Sequence, residues 1–128
     1  MNIAVVGASN NPDKYGNTIV RHLLADGHTV YPVNPKEKII LGSPCYRKVG
    51  DIESNVDVVD IVVPPKITLK VLRHVRSLGR MNVWIQPGAE SRDVISYLER
   101  HSDDFGIITY NQCIMTSLDR VYPNAVTA

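Results

Sequence analysis

Short apolar runs alternate along the chain with helical stripes of apolar residues, and glycine or proline separates one from the next. Five runs are rich in β-branched residues, which is typical of buried strands. They cover residues 3–6, 29–33, 58–63, 82–85 and 106–110. Between them, apolar residues spaced three and four positions apart predict amphipathic helices. These helices begin near Gly16 and Pro65 and include Val94–Leu98.

This alternation predicts an α/β fold, a Rossmann-like doubly wound parallel sheet of about five strands in a single domain. Pro32 has no amide hydrogen, so we expect the second strand near an edge of the sheet. Ligands bind such sheets beyond the carboxyl ends of the strands. We therefore expect the functional residues in the segments that follow the strands: 7–16, 34–38, 64–66, 86–88 and 111–113.

The turn after the first strand, from Gly7 to Gly16, has the features of a phosphate site. A glycine lets an anion approach the backbone, and the helix that follows presents unpaired N–H groups with partial positive charge. Ser9, Asn10 and Lys14 add side-chain donors. Only the first glycine of the dinucleotide fingerprint GxGxxG is in place, which argues against a standard NAD site. The alternative is that Gly7 only ends the strand.

The segment Asn34-Pro35-Lys36 follows the second strand, where NAD-binding domains place a carboxylate against the ribose hydroxyls. An amide and a lysine suit instead a ribose that carries a phosphate, as in NADP or coenzyme A. Lys36 is the residue that we expect to pair with this phosphate. The alternative is a solvated lysine loop, because exposed lysines are common.

Two further segments at the predicted edge are stiff turns. Pro64-Pro65 removes two backbone donors and forms either a ledge for an adenine or a pantetheine arm, or a simple strand end. Gln86-Pro87-Gly88 offers an amide and a close approach to the backbone, or only a turn. Catalytic groups are scarce, since neither GxSxG nor GxxxxGKS occurs and the histidines fall in helices or a turn.

Composition restricts the possible partners. A net charge of +1 gives no basic surplus for nucleic acid and no charged run for a membrane surface, so any anion site is local. The sequence lacks a signal-peptide pattern and any long apolar stretch, and we expect a cytoplasmic protein. Cys45 and Cys113 lie far apart without a CxxC neighbour. This spacing argues against zinc and against a disulfide framework, and it predicts free thiols.

Several motifs together resemble the stand-alone CoA-binding domain family, which is similar to the N-terminal domain of the succinyl-CoA synthetase α subunit. The motifs are GASN at 7–10, YPVNPK at 31–36, VDVVD at 56–60, VWIQPGA at 83–89 and NQCI at 111–114. The resemblance runs from Met1 to about Met115. It implies a CoA-binding domain over residues 1–116 and a C-terminal tail over residues 117–128.

The resemblance also implies that CoA lies along the carboxyl edge of the sheet. By position, it assigns Gly7, Ala8, Ser9 and Gly16 to the phosphates, Val33, Asn34, Pro35 and Lys36 to the adenosine end, Val63, Pro64 and Pro65 to the adenine or the arm, and Gln86, Pro87 and Gly88 to the pantetheine. The synthetase domain with the phosphorylated histidine and the ATP-grasp partner have no counterpart in this sequence. Ligase activity is therefore not expected of this chain.

The sequence thus predicts a non-catalytic domain that binds coenzyme A or a short acyl-CoA as a sensor or carrier. Two alternatives stay open: an NADP-dependent oxidoreductase in which Lys36 meets the 2′-phosphate, and a CoA-binding subunit that docks on a separate ligase chain. A homodimer also stays open. Cys113 follows the last strand. If it faces the thiol of CoA, it would form a mixed disulfide, and otherwise it is a small buried residue.

Overall fold

Strands and helices alternate through residues 1–123, the part of the chain that this computed structural model describes. The strands are β1 (Asn2–Val6), β2 (Thr29–Val33), β3 (Ile39–Ile40), β4 (Ser43–Pro44), β5 (Val58–Ile61), β6 (Val83–Ile85) and β7 (Ile108–Tyr110). The helices are α1 (Tyr15–Ala25), α2 (Pro65–Ser77), α3 (Arg92–Arg100) and α4 (Ile114–Val121). Two short 3-10 turns occupy Val49–Asp51 and Ser102–Asp104.

The main sheet contains five parallel strands in the order β2-β1-β5-β6-β7. Helices α1 and α4 pack on one face around the buried Trp84, and α2 and α3 pack on the other face around the buried Phe105. Because both faces are covered, the central strands are apolar along nearly their whole length. The predicted doubly wound, Rossmann-like α/β fold is confirmed.

The strand order reverses at β1, which has β2 on one side and β5 on the other. The segment that leaves β1 continues to one face of the sheet, and the segment that leaves β5 continues to the other face. A crevice therefore opens at the carboxyl ends of these two strands. Pro32 stands in the edge strand β2, as its missing N–H predicts. The backbone of Tyr46 extends that edge by donating to the carbonyl oxygen of Pro32 at 2.9 Å.

Two segments differ from the sequence-based expectation. The stretch 39–46 lies outside the five predicted strands, but it contains the antiparallel pair β3-β4, and Ile40 is fully buried there. Helix α4 crosses the expected boundary between residues 116 and 117. Its residues Ile114 and Leu118 pack in the core beside α1, so the helix belongs to the domain. Within residues 1–123, no helix combines the length and apolar character needed to cross a bilayer.

Candidate functional site

The turn after β1 is packed tightly against its neighbours. Gly7 has a φ of +101°, which favours glycine, and a Cβ at this position would collide with the carbonyl oxygen of Val62. The Gly7 N–H donates to the carbonyl oxygen of Val33 at 3.0 Å. A Cβ at Gly16 would collide with the carbonyl oxygen of Gly7. Gly16 therefore lets the first turn of α1 touch the end of β1, and Gly7 lets the turn pack against the chain that leaves β5.

Two helices begin at this edge without a side-chain cap. Lys14 occupies the N-cap position of α1 in an extended conformation, and its side chain makes no capping hydrogen bond. Pro64 occupies the same position in α2, again without a side-chain cap. N–H groups in the first turn of an uncapped helix carry partial positive charge and can donate to an anion.

A cleft of about 810 Å³ opens between the turn after β1, the loop after β2 and the outer face of α2. Its apolar lining comes from Val6, Val33, Pro35, Val49, Val63, Pro64, Ile67 and Val71. Its charged lining consists of Lys14, Lys36, Arg47, Lys48 and Lys70. Since the net charge of the whole chain is only +1, positive charge is concentrated at this cleft. Apolar surface beside clustered cations suits a ligand with an aromatic base and phosphate groups.

Asn34 holds the loop after β2 in place at the cleft. Its side-chain nitrogen donates to the carbonyl oxygen of Ala8 at 2.9 Å, and its side-chain oxygen accepts from the N–H of Lys36 at 2.9 Å. The amide therefore ties the two loops that carry the predicted phosphate residues to each other. Lys36 is exposed on this braced loop, with its backbone fixed and its ammonium group open to solvent.

The structure gathers some of the sequence-predicted residues around the cleft and leaves others out of its lining. Those that line it are Gly7, Lys14, Val33, Asn34, Pro35, Lys36, Val63 and Pro64. Those that do not are Ala8, Ser9, Asn10, Gly16, Pro65, Gln86, Pro87 and Gly88. The side-chain amides of Asn10 and Gln86 form hydrogen bonds with other residues of the protein. Asn10 donates to the carbonyl oxygen of Ile39 at 2.8 Å, and Gln86 accepts from the N–H of Ile114 at 2.9 Å.

Sequence reasoning missed one side of the cleft. Ile67, Lys70, Val71 and His74 form one face of α2, and their helical spacing was a usable signal. Arg47 and Lys48 come from an irregular segment that gave no such signal. Their position depends on a bridge between Tyr46 and Val33, which pairs residues far apart in sequence. The 3-10 turn that follows docks on α2, where the Gly50 N–H donates to His74 Nε2 at 3.0 Å.

A cluster of polar side chains, separate from the cleft, lies at the same edge of the sheet, on the face covered by α1 and α4. The hydroxyl of Tyr15 lies 2.8 Å from the sulfur of Cys113, and the side-chain nitrogen of Gln86 donates to this sulfur at 3.3 Å. Asp60 is fully buried beside them, and neither of its carboxyl oxygens has a hydrogen-bond partner within residues 1–123. Cys45 and Cys113 are both free thiols, as predicted.

Burial changes the pKa of two side chains in this cluster, Asp60 and Tyr15. Desolvation, together with the nearby Cys113, raises the pKa of Asp60 well above its usual value. Desolvation and the hydrogen bond with Cys113 raise the pKa of Tyr15 to about 12. The phenol therefore keeps its proton, and the buried carboxyl favours its neutral form.

The crevice at the strand reversal, the two helix N-termini and the clustered cations place the chain in the class of Rossmann-like nucleotide-binding domains. Residues 1–119 match the CoA binding domain family, and the chain belongs to that family. The resemblance drawn from the sequence motifs is confirmed.

The relatives include both large ligases and a protein of similar size. The ADP-forming acetate–CoA ligase I of Archaeoglobus fulgidus is 34% identical over 137 aligned positions, covering 94% of this chain and 20% of the ligase. The α subunit of the ADP-forming acetate–CoA ligase II of Pyrococcus furiosus is 42% identical over 71 residues, 55% of this chain and 16% of that subunit. A conserved hypothetical protein of Pyrococcus furiosus is 44% identical with a TM-score of 0.83, covering 89% of this chain and 96% of the other. The chain spans 20% or less of the length of these two ligases.

Proposed function

We propose that this chain binds coenzyme A or a short acyl-CoA in the cleft and does not itself catalyse a reaction. The observation that carries the proposal is the convergence of five Lys and Arg side chains on an apolar cleft beside Gly7. CoA combines an adenine, a pyrophosphate and a compact 3′-phosphate dianion, and each of these finds a chemical complement there. Membership of the CoA binding domain family supports the same ligand.

The proposal assigns a part of the ligand to each side of the cleft. The turn at Gly7 and the start of α1 take the pyrophosphate, with Lys14 as a charged partner. Lys36 takes the 3′-phosphate, and Arg47 and Lys48 add positive charge to the same cleft. The positions of Ala8, Ser9, Gly16 and Pro65 near the nucleotide, and of Gln86, Pro87 and Gly88 near the pantetheine, remain predictions.

A thermal-shift comparison of CoA, dephospho-CoA, acetyl-CoA, NADP and NAD tests this function. A ligand at 100 times its Kd adds about 2.7 kcal/mol of stability, which moves the midpoint of a domain of this size by several degrees. We expect CoA and acetyl-CoA to raise the melting temperature more than dephospho-CoA does. NADP alone raising it would favour the oxidoreductase, and no shift with any CoA species would contradict the proposal.

Lys36→Ala isolates the phosphate contact, and Lys38→Ala is its matched control. Both lysines are exposed on the same loop, but only Lys36 lines the cleft. We expect Lys36→Ala to weaken CoA binding about tenfold, because a charge-assisted hydrogen bond is removed, and to leave dephospho-CoA nearly unaffected. Equal losses for both ligands, or the same loss in Lys38→Ala, would contradict this role.

The comparisons support a second candidate function. We propose as the alternative that the chain is the CoA-binding part of an ADP-forming acyl-CoA ligase and docks on an ATP-grasp chain. In the Archaeoglobus fulgidus ligase, the matching region is only 20% of a longer protein. Mixing this chain with a purified ATP-grasp subunit and measuring size-exclusion elution with and without CoA tests it. A stable complex favours this function, and separate elution favours the stand-alone binder.

A further inference from the structure

The cluster of Asp60, Cys113, Tyr15 and Gln86 does not line the cleft, and it carries chemistry of its own. We propose that Cys113 is a reactive thiol site for small disulfides, in which Tyr15 and Gln86 hold the sulfur as a thiolate while Asp60 stays neutral. This proposal does not depend on CoA binding.

The orientation of Gln86 is fixed by its other partner. The Ile114 N–H can only donate, so the side-chain oxygen of Gln86, 2.9 Å away, must be the atom that faces it. The side-chain nitrogen then faces the sulfur of Cys113 at 3.3 Å and must donate to it. The Tyr15 hydroxyl lies 2.8 Å from the same sulfur, where either group can donate, and the proposal assigns the donated proton to the phenol.

A negative charge at this cluster has two possible locations, sulfur and carboxyl. The sulfur accepts from Gln86 and, in this assignment, from Tyr15, and Cys113 is the N-cap residue of α4, where the helix dipole stabilises negative charge. Asp60 is fully buried, and within the described residues no donor reaches either oxygen. An unpartnered buried carboxylate is costly. The negative charge therefore belongs on the sulfur, and the proton belongs on Asp60. Tyr15 is the other titratable side chain in contact with this sulfur.

The reaction of such a site with a disulfide RSSR balances without any further reagent. The Cys113 thiolate attacks one sulfur, the S–S bond breaks, a protein–S–S–R bond forms, and RS⁻ leaves and takes a proton from solvent. The disulfide is reduced and the protein thiol is oxidised. Cys113 is partly exposed and Tyr15 is exposed, so a small disulfide can approach from the solvent side.

The first test measures the reaction of 2,2′-dithiodipyridine with Cys45→Ser, which leaves Cys113 as the only cysteine. The released thiopyridone gives the rate at pH 6.5. We expect the folded variant to react about tenfold faster than the same variant in urea, because an ordinary thiol is mostly protonated at this pH. A folded rate equal to or below the rate in urea would overturn the proposal.

The second test removes the phenol donor with Tyr15→Phe in the Cys45→Ser background. Losing a hydrogen bond to a charged acceptor lowers the thiolate fraction about ten- to a hundredfold. A more basic thiolate is also more nucleophilic, so the net rate falls about three- to tenfold. Tyr110→Phe is the matched control, because Tyr110 is similarly exposed but lies beside Glu90 and Ile95. An unchanged rate in Tyr15→Phe would overturn the proposal.

Asp60→Asn distinguishes the two locations of the charge, provided that circular dichroism shows a folded variant. If the charge already resides on sulfur, replacing a neutral carboxyl by an amide changes the rate less than about threefold. A rate that rises tenfold would mean that Asp60 carried the charge and suppressed the thiolate, which contradicts the proposal. If Asp60→Asn does not fold, the Tyr15→Phe comparison decides.

The source of the disulfide is separated by comparing CoA disulfide with glutathione disulfide and measuring adducts by intact mass. Adducts from both at similar rates support a general thiol site. If CoA disulfide reacts faster than glutathione disulfide and Lys36→Ala removes this difference, the result supports the site and links it to the cleft. No adduct from either disulfide would overturn the proposal, and CoA-induced melting shifts would still test the cleft separately.

Discussion

Gly16 sets how closely α1 approaches the end of β1. Its backbone packs on the carbonyl oxygen of Gly7, and a methyl group there would meet backbone atoms that cannot rotate away. The contact therefore fixes the distance between the turn after β1 and the N-terminus of α1. That distance determines whether the first N–H groups of the helix can reach a phosphate that sits on the turn.

Gly16→Ala is expected to lower the free energy of unfolding by about 1–3 kcal/mol, because the added methyl forces the helix away from the turn. We also expect the CoA-induced rise in melting temperature to be lost, since the helix N-terminus moves. Chemical denaturation and thermal shift measure the two effects.

Gly27→Ala is the comparison variant for this prediction. Gly27 has a φ of +86°, but a Cβ there would meet nothing within 4 Å. The substitution strains only the local backbone, at about 1 kcal/mol, and the ligand shift should persist. A Gly16→Ala protein that still responds fully to CoA would show that α1 does not need this contact to bind phosphate.

At the scale of elements, the side chain of Asn10 ties the small pair β3-β4 to the turn after β1. Asn10 donates to the carbonyl oxygen of Ile39 at 2.8 Å and accepts from the Leu41 N–H at 3.0 Å. These bonds link the turn after β1 to a segment about thirty positions further along the chain. They explain why an asparagine stands in a loop that the sequence interpretation assigned to phosphate binding.

Asn10→Ala is expected to lower the free energy of unfolding by about 1–3 kcal/mol, since the hydrogen bonds with Ile39 and Leu41 and a longer one with Glu37 are lost. The affinity for CoA, measured by calorimetry at a temperature where the variant is folded, should change by less than about threefold. A tenfold loss of affinity with unchanged stability would instead assign the Asn10 amide to the ligand.

The same pair of elements shows what sequence reasoning can and cannot reach. β1 and β5 were predictable because a buried parallel strand needs a nearly continuous apolar run, and Ile3–Val6 and Val58–Val63, the latter interrupted only by Asp60, supply one. The pair β3-β4 was not, because its two-residue strands are too short to show a pattern and make contacts with distant residues such as Asn10. Helix α4 was missed for a different reason: Ile114 and Leu118 have helical spacing, but the expected boundary between residues 116 and 117 separated them.

The candidate site divides in the same way. Gly7, Lys14 and Lys36 were predictable because the carboxyl ends of parallel strands meet at one edge. Arg47 and Lys48 were not, since a tertiary bridge at Tyr46 brings them there. Lys70 could have been predicted from the sequence, because α2 was predicted and its first turns necessarily border the same edge of the sheet.

At the scale of the whole molecule, charge is distributed unevenly. Lysines and arginines exceed carboxylates by only one, yet five of them line a single cleft. Salt screens the field of these charges beyond about 8–10 Å, so a multiply charged anion is attracted to the cleft mainly at close range. The dependence of affinity on ionic strength then reports how many of these cations act on the ligand.

Lys70→Ala tests whether α2 contributes to this field, and Lys66→Ala is its matched control. Both lysines are exposed on α2 one turn apart, but only Lys70 lines the cleft. We expect Lys70→Ala to weaken CoA binding about three- to tenfold at low salt, because a partly solvated ion pair contributes on the order of 1 kcal/mol. The difference from wild type should shrink as salt is raised to about 0.5 M. Equal effects of the two substitutions would mean that α2 acts only through its net charge, and no effect of either would confine recognition to the loops after β1 and β2.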